Sequence, residues 1–317
     1  MRNRRAVNAP ASPSRGRTAR PTRLGFACGI AAYSAWGVLP IYFKQLGAVD
    51  PVAIVAQRIC WSLVALLAMV AAARAWAGVR AALADRRTML LLLASALLIG
   101  INWLLFVWAI NSGHILASSL GYYLNPLANI LLGRLLLRER LSRLQWAAVA
   151  IAAAGIAVLA AGALGQLWIS LLLCGTFALY GFVRKVVAAD ALTGLAVETA
   201  LLFPPALAWL VASHAPGAPP IGPTPQLSLL LALLGLVSTV PLLLFTAAAR
   251  LLPLSTMGML QFIAPTLQFV VAVFLYGEAF TRPNAIAFGA IWAAVALYVA
   301  GLAGQMRRER LGVVLPE

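Results

Sequence analysis

Ten stretches of roughly 20 apolar residues follow one another from Leu24 to Ala303 with little between them, and each is long enough to cross a hydrocarbon core about 30 Å thick. That succession leaves no room for a water-soluble domain. Inside a bilayer every backbone N–H and C=O must be satisfied by the chain itself, so only helices or a closed barrel can span it. The ten-residue segments of alternating polarity that build a barrel are absent. The sequence therefore predicts an all-α integral membrane protein of ten transmembrane helices, at 24–43, 52–73, 88–110, 115–137, 144–163, 166–183, 191–212, 227–249, 254–276 and 285–303.

The chain is 63% hydrophobic and only 10% charged, yet it carries a net charge of +16. In a soluble protein such an excess would suggest nucleic acid. Here position decides otherwise. If ten helices alternate in direction, all but three of the 24 basic residues fall on one face, the exceptions being Lys44 and Arg282 opposite and Arg58 within a span. Positive-inside bias makes that face, and both termini, cytoplasmic, with no nucleic-acid partner. Residues 1–23 read as a basic cytoplasmic arm touching anionic lipid rather than a cleaved signal, and 305–317 as a cytoplasmic tail.

An internal echo organises the rest. Adding 139 to the residue number carries Phe106 to Phe245, Ala109 to Ala248, Pro126 to Pro265, Leu136 to Leu275 and Glu139 to Glu278 without a gap. A shifted match sets Trp36-Gly37 against Tyr180-Gly181. The halves are then 24–163 and 166–304. Each holds five helices, and an odd number inserts them in opposite orientations, giving two inverted five-helix repeats. Two opposed copies meeting at the membrane centre are a transporter design.

Motifs for hydrolysis, redox chemistry and nucleotide binding are missing, as are metal-ligand spacings, so no catalytic residue, metal or cofactor is expected. Cys28, Cys60 and Cys174 read as packing residues, His114 and His214 as solvated loop residues, and Lys44, Arg184 and Lys185 as solvated anchors at helix ends. Glu139 and Glu278, also at helix ends, read as structural. Polar side chains inside spans are costly and point to function. Arg58 and Glu198 each lie about 10–12 Å deep from opposite faces. They contact opposite ends of a zwitterionic cargo, or Glu198 takes up a coupling proton, or each snorkels to its nearer interface. Asn102 and Trp103, Tyr122 and Asn125 before Pro126, and Gln261 before Pro265 suggest an aromatic and amide-lined cavity where the prolines free backbone carbonyls. With Trp36 and Tyr180 these residues form the expected substrate-binding set, Pro126 and Pro265 breaking the helices beside it. The alternative for each aromatic is packing between helices.

From Gly25 to about Gly304 the chain resembles the EamA-type drug/metabolite transporters, and within them the RarD branch. The residues that carry this are Ala-Tyr-Ser-Ala-Trp-Gly at 32–37, Gln-Arg-Ile-Cys-Trp-Ser at 57–62 and Ile-Gly-Ile-Asn-Trp-Leu-Leu-Phe-Val-Trp-Ala-Ile-Asn at 99–111, followed by Ser-Leu-Gly-Tyr-Tyr-Leu-Asn-Pro-Leu at 119–127. Further along are Phe-Ala-Leu-Tyr-Gly-Phe-Val-Arg-Lys at 177–185, Thr-Val-Pro-Leu-Leu-Leu-Phe-Thr-Ala-Ala-Ala at 239–249 and Tyr-Gly-Glu at 276–278. The resemblance implies two EamA halves in the inner membrane. Repeat and resemblance together predict a secondary transporter, an exporter of a small organic metabolite or drug-like molecule. A polytopic enzyme acting on lipid, or a non-transporting scaffold, is the alternative.

Overall fold

A computed structural model describes residues 22–46, 49–112, 114–161, 164–213, 224–277 and 282–310, and no strand occurs among them. The helices are α1 (Arg23–Lys44), α2 (Pro51–Ala72), α3 (Trp76–Ala84), α4 (Arg86–Asn111), α5 (Ile115–Leu136) and α6 (Arg143–Ala160). After a 3-10 turn at Leu164–Gln166 come α7 (Leu167–Val186), α8 (Ala191–Ser213), α9 (Pro225–Leu251), α10 (Leu254–Gln261), α11 (Ile263–Val270) and α12 (Arg282–Arg310), with a π-helical segment, Val271–Leu275, following α11. The basic arm to residue 21, the connection 214–223 with His214, Glu278, and residues 311–317 lie outside the described residues.

Helix starts follow from local chemistry. Asp50 accepts from the backbone N–H groups of Val52 and Ala53 at 2.9 and 3.0 Å, with Pro51 in the first turn of α2, where its missing donor costs nothing. Ser142 and Gln145 close a reciprocal capping box at α6. Thr22 and Thr224 cap α1 and α9. Asp190 caps α8 through the backbone N–H of Thr193 at 3.0 Å. Partial burial pushes its carboxyl upward, but the Thr193 bonds outweigh this and hold it below the usual carboxylate range.

By length and hydropathy, nine helices among the described residues can cross a membrane. α5, with Tyr122, Tyr123, Asn125 and Asn129 along it, is not among the nine. The outward faces of the nine carry large apolar side chains such as Leu90, Leu97, Leu104, Leu171 and Phe274, a surface suited to lipid.

Three features depart from the sequence reading. The arginine-bearing connection after α2 contains a helix, α3, and Asp85 at its end accepts from the N–H of Thr88 to cap α4. The stretch 254–276 is broken at Phe262, because Pro265 has no N–H to return to Gln261 and its ring crowds that carbonyl. Pro126, by contrast, sits inside an unbroken α5. Finally, α12 continues as helix through Arg310 rather than ending before residue 305.

The two largest buried clusters hold most of the bundle. One joins α1, α2, α7, α8 and α9 around Tyr33, Leu66, Phe177, Tyr180, Leu195 and Phe245; the other joins α5, α6, α10 and α12 around Ile130, Ile156, Met259 and Tyr298. The principal neighbours are α1 with α9 and α11, α2 with α8 and α9, α4 with α7 and α8, α5 with α7 and α10, and α6 with α12. Glycine permits the closest approaches. A Cβ at Gly235 on α9 would stand 2.4 Å from the carbonyl carbon of Trp61 on α2, and one at Gly258 on α10 would stand 2.5 Å from the carbonyl oxygen of Pro126. A helix thus packs directly on Pro126, where the sequence suggested a cavity.

Candidate functional site

Inside the bundle, α1, α7 and α9 contribute four rings joined through Phe177 and Phe245. Trp36 lies 6.1 Å from Phe177 and 5.6 Å from Phe245, and Tyr180 stacks on Phe245 at 6.0 Å with 12° between planes. Tyr33 closes one side, 5.6 Å from Trp36. Its hydroxyl is buried without a hydrogen-bond partner.

Beside these rings α4 places two consecutive residues with different tasks. Asn102 donates from Nδ2 to the carbonyl oxygen of Leu173 and to Thr176 Oγ1, both at 2.9 Å, fixing α4 to α7. Its Oδ1 accepts from the Tyr122 hydroxyl at 3.4 Å, and the Tyr122 ring meets Phe177 at 6.4 Å. Trp103 packs against the aromatic cluster on one side and the Ala56, Ile59 and Ala206 cluster on the other. Over its ring, 3.9 Å from the centroid, lies the guanidinium of Arg58. Cation–π attraction is strongest for Trp and for desolvated cations. Arg58 Nε is buried without a hydrogen-bond partner, and the hydroxyls of Tyr122 and Tyr180 lie within its electrostatic reach.

The α5 face that carries Tyr122 continues at helical spacing to Asn125 and Asn129. Asn129 donates to Gln261 Oε1 at 2.9 Å, tying α5 to α10. Its own Oδ1 is close to Gly181, where a Cβ would stand 3.8 Å away. Asn125 is 0% exposed, and neither its Oδ1 nor its Nδ2 has a hydrogen-bond partner. A buried polar group left so costs about 1–3 kcal/mol. Fixed, unsatisfied groups of this kind are what a polar ligand would complete.

The structure separates the two charges that the sequence set against each other. Glu198 Oε1 accepts from Arg184 Nη1 at 3.0 Å, with side chains 1% and 0% exposed, and this is the one ion pair among the described residues. Ser95 adjoins the same carboxylate. Arg58 and Glu198 therefore do not bridge, and Glu198 does not snorkel. Arg184, expected as a solvated anchor, is buried because the α7–α8 hairpin folds it back onto Gly194, where a Cβ would stand 2.5 Å from Nη1.

Lys185, also expected in solvent, donates instead to the carbonyl oxygens of Ala249 and Leu252 at the end of α9. Arg250 returns the favour to Val187 and Ala189 beyond the end of α7. A helix C-terminus leaves carbonyls unpaired and attracts cations, so each helix end finds its cap on the other. Glu139 performs the opposite task. Its carboxylate accepts from the N–H groups of Leu254 and Ser255 at 2.6 and 2.9 Å, capping α10 from the connection after α5. Lys44 lies over the Tyr276 ring at 3.4 Å, and His114, expected in solvent, stacks half-buried on Trp108 at 5.4 Å. The three cysteines are free.

Comparison with known proteins matches residues 23–161 to a group described as the EamA-like transporter family. Protein RarD of Escherichia coli is 42% identical over 289 residues, covering 89% of this chain and 95% of that protein. A Vibrio cholerae protein described as an uncharacterized transporter is 45% identical over 275 residues, covering 86% and 91%. Among solved structures, one crystal structure matches with a TM-score of 0.69 at 18% identity, covering 86% of this chain and 96% of that one, a likeness of fold.

Proposed function

The chain belongs to the EamA-like transporter family, in its RarD branch, and from that premise we propose that it is a secondary transporter moving a small organic molecule across the inner membrane by alternating access. The observation that carries this reading is the pattern of helix neighbours. Let α5 and the broken α10–α11 stretch serve as fourth and ninth of ten spans, and α3 lie outside the count. Exchanging the two halves then turns the α1–α9 contact into α7–α4, α2–α9 into α8–α4, and α5–α7 into α10–α1 and α11–α1. The pairs α2–α8, α5–α10 and α6–α12 turn into themselves. Such a neighbour list supports a pseudo-two-fold axis in the membrane plane relating 24–163 to 166–304, the arrangement that lets a central site face either side in turn.

The aromatic and amide group around Trp36, Arg58, Asn102, Trp103, Tyr122, Asn125 and Tyr180 lies between those halves and is our choice for the cargo site. Gln261 enters through Asn129 as a support. Glu198, closed off by Arg184, is a candidate for a coupling proton only in a state where that pair opens. Export is the direction we favour. Counterflow tests the whole reading. Purified protein in liposomes preloaded with a metabolite mixture should exchange at least one compound faster than protein-free vesicles; no exchange of any would reject it.

Orientation gives an independent expectation. Reporters after His114, after Gly165 or at Ala218 should read external, and those after Arg86, after Arg140 or at the C-terminus cytoplasmic, because retained Arg and Lys set the inside face. A C-terminal reporter that reads external would overturn it.

A further inference from the structure

We propose that the cargo is an organic anion, a carboxylate on a flat apolar body, and that Arg58 is its charge partner; this rests on the transporter reading above. Arg184, buried in α7, is neutralised by Glu198, whereas no carboxylate among the described residues meets Arg58, which is half-buried with its Nε buried. An arginine guanidinium stays protonated in a protein. An unpaired cation so placed is expensive unless something else neutralises it.

Snorkelling does not relieve it, for the guanidinium rests on Trp103, which is itself packed into the central aromatic cluster, and Nε is buried. With Cζ over the indole ring and no acidic side chain among the described residues against the guanidinium, its N–H groups remain for a ligand. A guanidinium edge matches a carboxylate, whose two oxygens accept parallel bonds in plane. A phosphate dianion would call for a second cation. Among the described residues Lys44 is engaged with Tyr276, Lys185 with the end of α9, Arg250 with the end of α7 and Arg184 with Glu198, so none of these supplies it. Trp36, Phe177 and Tyr122 offer ring faces and edges to a flat body. Asn125 supplies an unsatisfied amide on the same α5 face as Tyr122.

Titration calorimetry on the detergent-purified full chain decides it, with four probes on one ring system: 2-naphthoate, 2-naphthamide, 2-naphthylmethylamine and 2-naphthyl phosphate. Naphthoate should bind at least tenfold tighter than the amide or the amine, and no weaker than the phosphate. Arg58→Gln should reduce the preference for naphthoate over naphthamide to within about twofold, while Arg58→Lys should keep the preference at lower affinity. Trp103→Leu, which leaves the cation but removes its platform, should weaken naphthoate more than naphthamide and serves if Arg58→Gln does not fold. Equal binding of acid and amide by the unaltered chain, binding of none of the probes, tighter binding of the phosphate, or an unchanged preference in both altered chains would overturn the proposal. Failure of the transporter reading looks different: naphthoate would bind through Arg58, yet labelled naphthoate would not exchange across proteoliposomes.

Discussion

Arg184→Met alone should lower stability by about 3–5 kcal/mol, because it strands a buried carboxylate. Arg184→Met together with Glu198→Leu should recover most of that loss. The contrast follows from the two sides of a buried pair: desolvating both charges is costly, so the intact pair contributes little net, whereas one charge without the other has nothing to offset its burial. At 3.0 Å, with both side chains buried, the Arg184–Glu198 pair is in this regime. Thermal unfolding of the detergent-solubilised chains gives the ranking, and a double variant no more stable than the single one would reject the account. Gly194 supplies a cross-check. A Cβ there stands 2.5 Å from Nη1 and 3.1 Å from Cζ of Arg184, so Gly194→Ala should be destabilising beside Arg184 and much less so beside Met.

The second large effect is steric. Gly235→Ala pushes a methyl group to 2.4 Å from the Trp61 carbonyl carbon and 2.5 Å from its oxygen, against backbone that cannot rotate away. Overpacking of this kind costs about 1–3 kcal/mol, and here it also forces α9 from α2, where Ser62 Oγ donates to the Gly235 carbonyl oxygen at 3.2 Å. Gly175→Ala is the control. Its added methyl has nothing within 4 Å, and the substitution should stabilise α7 by about 0.4–1 kcal/mol. Similar unfolding midpoints for the two variants would show that α2 and α9 tolerate separation.

Apolar runs were readable because they are local. A helix underlies every apolar stretch from Arg23–Lys44 to Arg282–Arg310. Partners were not readable, because they depend on how neighbouring helices are rotated. Depth alone set Arg58 opposite Glu198, while the rotation of α7 brought Arg184 to the carboxylate and that of α4 brought Trp103 beneath Arg58. The pairing of Lys185 with the end of α9 was hidden for the same reason. A rule that every helix C-terminus needs a cation would have pointed to it. α3 was missed because arginines on either side of Trp76–Ala84 made an alanine-rich helical stretch look like a loop.

Arg58 lying on a ring rather than beside an acid also bears on energetics that no contact describes. An empty site there is positive; filled by a monoanion it is neutral. On the proposed alternating-access cycle with an anionic cargo, the membrane potential therefore acts on the return of the empty protein and not on the loaded step. A full elementary charge crossing 100 mV is worth about 2.3 kcal/mol, and even a fraction of that, in a membrane negative inside, draws the vacant site toward the cytoplasmic side to be refilled. If the proposed anion export holds, a cell drives expulsion with its electrical gradient alone. Net efflux should quicken as the membrane is polarised, while one-for-one exchange stays indifferent to voltage.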